Sequence, residues 1–375
     1  EDHDSNPIKI GLGKIKGRGA KFVSVNPVRT GYSAIADEWL SIRPGTDGLF
    51  VMSLIHELLR TGNVDDQYLA TYTNAPWLVI KAPGKPEDGL FVRNSEGVPL
   101  VFDGEKKKLV SAMDISAKPV FVGEMELSDG NTARPAFQLM AERYLSERYQ
   151  PENVAEETGI PAKTIQRLAA EIAQVAFKEE IEIRTPWTDA YGRQHESFIG
   201  RPVAMHAMRG ISAHSNGFHT CRAIHLLQTL IGSIDCPGGF RNKPPFPKAI
   251  PPALKPAGKL EDLGPETSLT GPPLGFPTGP EDLIVDKDGK PGRIDKAFSW
   301  EFPLSSHGLM HMVITNAWKG DPYTIDTLFM FMANMSWNSS MNTSGVIEML
   351  TDKNERTGNY KIPRIIYSDA YFSEM

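Results

Sequence analysis

Cysteine is almost missing from this sequence: Cys221 and Cys236 are the two in 375 residues. They are too few and too far apart for a cluster motif or a disulfide framework. Nothing else in the composition argues for an oxidising compartment. Long hydrophobic runs are missing too. No apolar stretch approaches the ~20 residues that span a bilayer, and no signal-peptide pattern is visible. Positive charge is not in excess, since the formal net charge is −6. The one basic run, Lys106-Lys107-Lys108, reads as a solvated turn, so a nucleic-acid binder is disfavoured. With no signal in view and so little cysteine, the cytoplasm is the expected location.

What is present is ordinary globular chemistry: 40% hydrophobic and 23% charged residues, and enough chain for about two domains. Residues 21–50 organise the reading. Phe22-Val23-Ser24-Val25 is a β-branched run stopped by Asn26-Pro27, which predicts a buried strand. A polar loop with Arg29 and Thr30 follows, and then the turn at residues 43–48. That turn opens a periodic helix in which Leu49, Met52, Leu54, Ile55, Leu58 and Leu59 are apolar. Strand end, loop and helix start then meet at the carboxyl edge of a parallel sheet, where open α/β folds bind nucleotides. The helix start offers amides to an anion, and Asp47 can accept both N–H donors on a guanine edge. The same residues also read as a Thr46 or Asp47 N-cap, a solvated Arg29 and an ordinary Pro44-Gly45 turn.

Elsewhere the signals are coarser. Residues 6–16 predict a short helix. Gly11, Gly13 and Gly17 have the wrong spacing for a dinucleotide loop, and no acidic residue ~20 positions after a strand-borne glycine loop suits a nicotinamide enzyme. Residues 77–135 alternate short apolar pieces with Gly, Pro and Asp turns, which predicts hairpins. Helices are expected at 136–149, at 151–158 closed by Gly159, and after Pro161, with a strand at 181–184. Glu152, Glu156, Glu157 and Glu171 oppose a DNA-binding reading of those helices. Residues 203–208 predict a strand, 209–216 a polar loop, and 217–231 a helix closed by Gly232. His206, His214, His219 and His225 are spaced so that no two share a helix face, which argues against a metal site. Prolines and glycines crowd residues 241–303, an irregular connection. Beyond it, strands are expected at 328–332 and 364–367, with a helix at 344–350 between them.

The order of motifs resembles the molybdopterin oxidoreductase (dimethylsulfoxide reductase) family. The matching pieces are VNPVRT at 25–30, Ala36-Asp37 with Trp39, IRPGTD at 42–47, GISAHSNG at 210–217, Arg222-Ala223 and Pro237-Gly238-Gly239. Asn26 stands where the family more often has Asp. The resemblance implies an α/β fold of two Rossmann-like units with mostly parallel sheets, the second incomplete. The first domain would cover 1–240, with a helical and hairpin insertion at about 77–180. A connection at 241–304 and a partial second domain at 305–375 would follow. It implies a molybdenum bis(molybdopterin guanine dinucleotide) cofactor contacted by Asn26, Pro27, Arg29, Thr30, Gly45, Thr46, Asp47, Gly210, Ser212, His214, Asn334, Ser368 and Asp369. No catalytic residue or metal ligand is expected in this stretch. A 4Fe-4S cluster and the metal ligand are expected upstream, so that the chain is a middle piece, inert alone. The tail of the second region is similar to sulfite dehydrogenase and to thiosulfate or polysulfide reductase members. The implied partners are a small sulfur-containing or inorganic substrate, a membrane anchor subunit and an iron–sulfur electron-transfer subunit. Formate or nitrate chemistry, or a non-enzymatic α/β binding module, are the alternatives.

Overall fold

The computed structural model describes residues 6–29, 31–189, 192–207, 209–212, 214–240, 312–321, 324–338 and 342–371. Thr30, the acidic opening before residue 6 and the connection at 241–304 lie outside them. In chain order the first elements are α1 (Asn6–Lys16), β1 (Val23–Val25), β2 (Glu38–Leu40), α2 (Asp47–Arg60) and α3 (Asp66–Tyr72). Then come β3 (Leu78–Lys81), β4 (Leu100–Asp103), β5 (Lys108–Ser111), β6 (Met125–Glu126), β7 (Thr132–Pro135), α4 (Ala136–Tyr144), α5 (Pro151–Thr158) and α6 (Ala162–Lys178). They are followed by β8 (Ile181–Ile183), β9 (Trp187–Thr188), β10 (Gln194–His195), β11 (Phe198–Gly200), α7 (Arg209–Ser212) and α8 (Gly217–Leu230). After the connection the order is α9 (Met312–Lys319), β12 (Thr327–Phe331), α10 (Met335–Asn338), α11 (Thr343–Thr351) and β13 (Arg364–Ser368).

These elements form two compact units. The first gathers Glu1–Leu69, Met140–Ile211 and His219–Asn242. At its centre is α2, whose Leu54, Ile55 and Leu58 are fully buried and which packs against α5 and α6. A charged or ring-nitrogen side chain in so buried a helix is costly without a partner. Glu57 therefore holds Arg60 through two hydrogen bonds of 2.9 and 2.8 Å, and the His56 ring meets the Tyr144 carbonyl at 2.9 Å. Gly48 is required near the helix start because a Cβ there would stand 2.6 Å from the Thr220 hydroxyl of α8. Gly232, which closes α8, has φ +66°, and a Cβ there would press on Asp65 at 2.7 Å. Asp65 is in turn clamped by Arg201 at 2.7 Å.

The second unit gathers Ala70–Leu139, Ser212–Phe218 and Lys243–Met375. Its hairpin part centres on Leu78, Val92 and Ala133. A separate cluster of Ile314, Ala317, Met330, Val346, Met349, Leu350 and Ile362 underlies β12 and β13.

The chain is mixed α/β, but its sheets are small and mostly antiparallel, which corrects the expectation of mostly parallel sheets. Among the described residues, β1–β2 and β12–β13 are parallel, while β3–β7–β6, β4–β5, β9–β10 and β8–β11 are antiparallel. The connections explain this. Tight turns such as that between β4 and β5 are too short for the crossover that a parallel pair needs.

Three local expectations also change. Residues 22–25 are half exposed rather than buried, since a two-stranded pair covers little of its own surface. Of the strand at 327–331 only Met330 is buried, and Phe329 and Phe331 are 59% and 64% exposed. Residues 203–207 form no strand. Pro202 has no amide to offer a ladder, and the Val203 amide turns back onto the Arg201 carbonyl at 2.7 Å.

Candidate functional site

The register of β1 and β2 builds a first candidate edge. Val23, Ser24 and Val25 pair in parallel with Glu38, Trp39 and Leu40. The segments that leave the two strands, Asn26 to Arg29 and Ser41 to Asp47, therefore depart from one carboxyl edge. That edge is tied together by hydrogen bonds. The Asn26 amide donates to the Leu40 carbonyl at 3.1 Å, and the Trp39 indole N–H donates to the Asn26 carbonyl at 2.8 Å. The Asn26 side-chain oxygen accepts the Val28 amide at 3.1 Å, so this side chain shapes its own turn. The Pro27 carbonyl faces the Ser41 hydroxyl at 3.5 Å. Asp37, of the Ala36-Asp37 pair, takes the Phe22 amide at 2.7 Å and Lys16 at 3.0 Å. The Phe22 amide foremost, and Lys16 after it, hold its carboxyl below the usual range.

Arg29 is exposed, with its guanidinium carbon 5.9 Å from the centre of the Trp39 ring. It has no carboxylate partner among the described residues. Gly45 adopts φ +82°, a left-handed turn that glycine enters without cost, and open space surrounds its α-carbon. Thr46 occupies the N-cap position of α2, yet its hydroxyl donates backward to the Arg43 carbonyl at 2.7 Å and caps no helix amide. Asp47 is the first helical residue and half buried. Among the described residues its carboxylate has no hydrogen bond or ion pair. The N-cap reading of Asp47 therefore fails on geometry. The edge offers uncapped helix amides, a free carboxylate and an unpaired guanidinium.

A second candidate edge, described by itself, lies at β12 and β13. Their parallel register ends with Phe331 opposite Ser368, and the Met332 amide donates to the Ser368 carbonyl at 2.8 Å. Met332 turns with φ +51°, a conformation rare outside glycine, just past the carboxyl end of β12 and two residues before Asn334. Here the side chains of Asp369 and Asn334 are each partly engaged. Asp369 accepts the Tyr367 hydroxyl on one oxygen and the Ala370 amide on the other, and those two donors, the hydroxyl first, hold its carboxyl below the usual range. The Asn334 side-chain oxygen takes the Ser336 hydroxyl at 3.0 Å.

Gly210 and Ser212 fall in the helical turn α7 rather than in a loop. Gly210 is exposed, and a Cβ there would meet nothing within 4 Å. His214 lends its carbonyl to the Gly217 amide at 2.9 Å, at the entry to α8. Trp39 is the residue that the sequence did not single out for the site. Its place beside Asp37 in the motif, two residues into the second parallel strand, was the available signal.

A mixed α/β chain with polar segments at the carboxyl edges of its parallel strand pairs is the class that fold and geometry define. No family model matches the chain. It is 52% identical over 383 residues to a sulfite dehydrogenase subunit of Allochromatium vinosum, covering 100% of this chain and 39% of that protein. A formate dehydrogenase major subunit of Haemophilus influenzae is 28% identical over 60% of the chain and 19% of its own length. The alpha subunit of perchlorate reductase from Dechloromonas aromatica is 27% identical over 41% of the chain and 20% of its own length. The chain belongs to the molybdopterin oxidoreductase family. It spans 39% of the first of these relatives and no more than a fifth of the other two. Acetylene hydratase from Pelobacter acetylenicus superposes on 61% of the chain and 19% of its own, at 17% identity and a TM-score of 0.35.

Proposed function

We propose that this chain is the cofactor-holding central part of a molybdenum oxidoreductase catalytic subunit that acts on a sulfur oxyanion, sulfite foremost, by oxygen-atom transfer. The substrate class leans on the 52% identity to the sulfite dehydrogenase subunit. The proposed form of the cofactor is the bis(molybdopterin guanine dinucleotide), held by two Rossmann-like halves, one before residue 240 and one after 305. When bound, such a group supplies the two-electron redox chemistry, and the protein supplies binding and orientation.

The donor set of the first edge fits it. Arg29 and the first amides of α2 suit phosphate oxygens, and the Asp47 carboxylate suits the paired N–H donors of guanine. Asn334, Ser368 and Asp369 are the proposed contacts of the second half, and Gly210, Ser212 and His214 lie in the segment proposed to run along the cofactor. An upstream iron–sulfur cluster, a membrane anchor, an electron-transfer partner and a cytoplasmic location complete this reading. Formate oxidation is the second reading, favoured by the 28% identity to the formate dehydrogenase subunit. Steady-state assays of the holoenzyme with sulfite, formate and nitrate separate the two.

The observation that carries the proposal is the partnerless Asp47 carboxylate at the first turn of a buried helix. Asp47→Asn in the holoenzyme is the test. Asn replaces an acceptor with a donor facing a donor, and a charge-assisted bond of this kind contributes roughly 1.5–3 kcal/mol. Guanine nucleotide and molybdenum recovered per protein are expected to fall about tenfold or more, with melting temperature unchanged. Unchanged cofactor content would remove Asp47 from the site.

A further inference from the structure

We infer that Trp39 is a positioning residue of the first edge, acting through Arg29 and the turn at Asn26 to Val28. The inference rests on the cofactor reading above and deepens it. Three observations meet at this side chain. Its indole N–H holds the Asn26 carbonyl at 2.8 Å, so the first residue beyond β1 is fastened to β2. Its ring lies 5.9 Å from the Arg29 guanidinium carbon, within the reach of a cation–π contact, for which Trp is the strongest of the aromatic faces. The Asn26 side chain, by taking the Val28 amide at 3.1 Å, closes the turn that carries the chain from one contact to the other.

An exposed arginine with no carboxylate beside it would otherwise sample many rotamers, and each anion it captured would cost that freedom. A ring beneath the guanidinium restrains it without neutralising its charge. An ion pair would also hold it, but would compete with the ligand. Trp39 thus keeps Arg29 both ordered and available to a phosphate oxygen. The departure from the family at Asn26 has a consequence of its own here. The side-chain oxygen is spent on the Val28 N–H, and the charged donor that this turn offers to a phosphate is Arg29.

Four variants of the holoenzyme test this: Trp39→Phe, Trp39→Leu, Arg29→Met, and the double Trp39→Leu/Arg29→Met. The readouts are guanine nucleotide released per protein, its dependence on salt during purification, and melting temperature. Trp39→Leu and Arg29→Met are each expected to lower nucleotide retention roughly two- to fivefold and to flatten its salt dependence. The double variant is expected to be no worse than either single one. Trp39→Phe, which keeps a face under the guanidinium, is expected to recover most of the loss. Wild-type retention in Trp39→Leu, or a double variant that multiplies the two single losses, overturns the inference. If Trp39→Leu does not accumulate, a Trp39→Phe variant as poor as Arg29→Met overturns it equally, and one close to wild type supports it. Nucleotide present and lowered by Asp47→Asn, with Trp39→Leu unaffected, sinks the role of Trp39 alone. A wild-type holoenzyme that releases no guanine nucleotide sinks the cofactor reading with it.

Discussion

The two parallel strand pairs of this chain have the same plan and opposite states of readiness. At the β1–β2 edge the turn is fastened by backbone and by Trp39, and the charged side chains are left over: Asp47 has no partner among the described residues, and Arg29 has only a ring. At the β12–β13 edge the charged side chain is partly engaged, because each Asp369 oxygen holds one donor, from residues 367 and 370. A carboxylate has about four acceptor positions, so Asp369 keeps some of its own for a ligand while Asp47 keeps all of them. Two edges of one topology thus differ in how many polar groups their loops leave over. The pairs also differ in cover. The second presents Phe329, Phe331 and Met332 at 59%, 64% and 66% exposure, larger apolar side chains than Val25 and Val28, which the first presents at 36% and 59%.

The largest expected effect tests what supports the second pair. Ile314 is 1% exposed in the cluster beneath it. Ile314→Ala should cost about 2–5 kcal/mol by lost burial and a residual cavity. Denaturant unfolding followed by the fluorescence of Trp318, which packs on this cluster, measures it. A loss below ~1 kcal/mol would mean that this region is held by something other than its core.

A smaller effect is expected at the first pair. Gly48→Ala sets a methyl 2.6 Å from the Thr220 hydroxyl. Overpacking of this kind costs about 1–3 kcal/mol. Thr220→Ala in the same chain should restore most of it. Thermal unfolding of the single and double variants reads the coupling, and simple additivity would deny the contact.

The smallest effect sharpens the contrast between the two carboxylates. Asp369 titrates below its ordinary value because the folded state favours the anion. Its stabilisation is present above the unfolded value of about 3.9 and is lost as pH falls through the depressed folded value. Chemical shifts of the Asp369 carboxyl followed between pH 6 and pH 2 should show that depressed midpoint, and Tyr367→Phe should move it upward. A midpoint that Tyr367→Phe leaves in place would mean that the hydroxyl bond is not what lowers it.

Much of the helical skeleton was legible in the sequence. The period of apolar residues from Leu49 onward, Gly159 closing one helix and Gly232 another, and the proline entries at 151 and 161 each state a local rule that tertiary contacts did not override. The strands were less legible. Ile181, Glu182 and Ile183 form a strand as expected, but an antiparallel and exposed one, paired with residues 198–200. Residues 203–207 share the apolar look of a strand and form none.

What the sequence determined by itself is therefore local: which residues can be helical, where each helix must stop, and which polar residues stand at strand ends. The family also belongs with these, because order and spacing of motifs are properties of the chain alone. The pairing of strands came from the tertiary structure. A run of three or four apolar residues carries no record of its neighbour's direction, which loop length and packing impose. The fate of each site carboxylate was decided there as well. Asp47 and Asp369 look alike in sequence, as acids beside an apolar element. One is left open, with Thr46 turning its hydroxyl back to Arg43, and the other is partly taken because the side chain of Tyr367 reaches it.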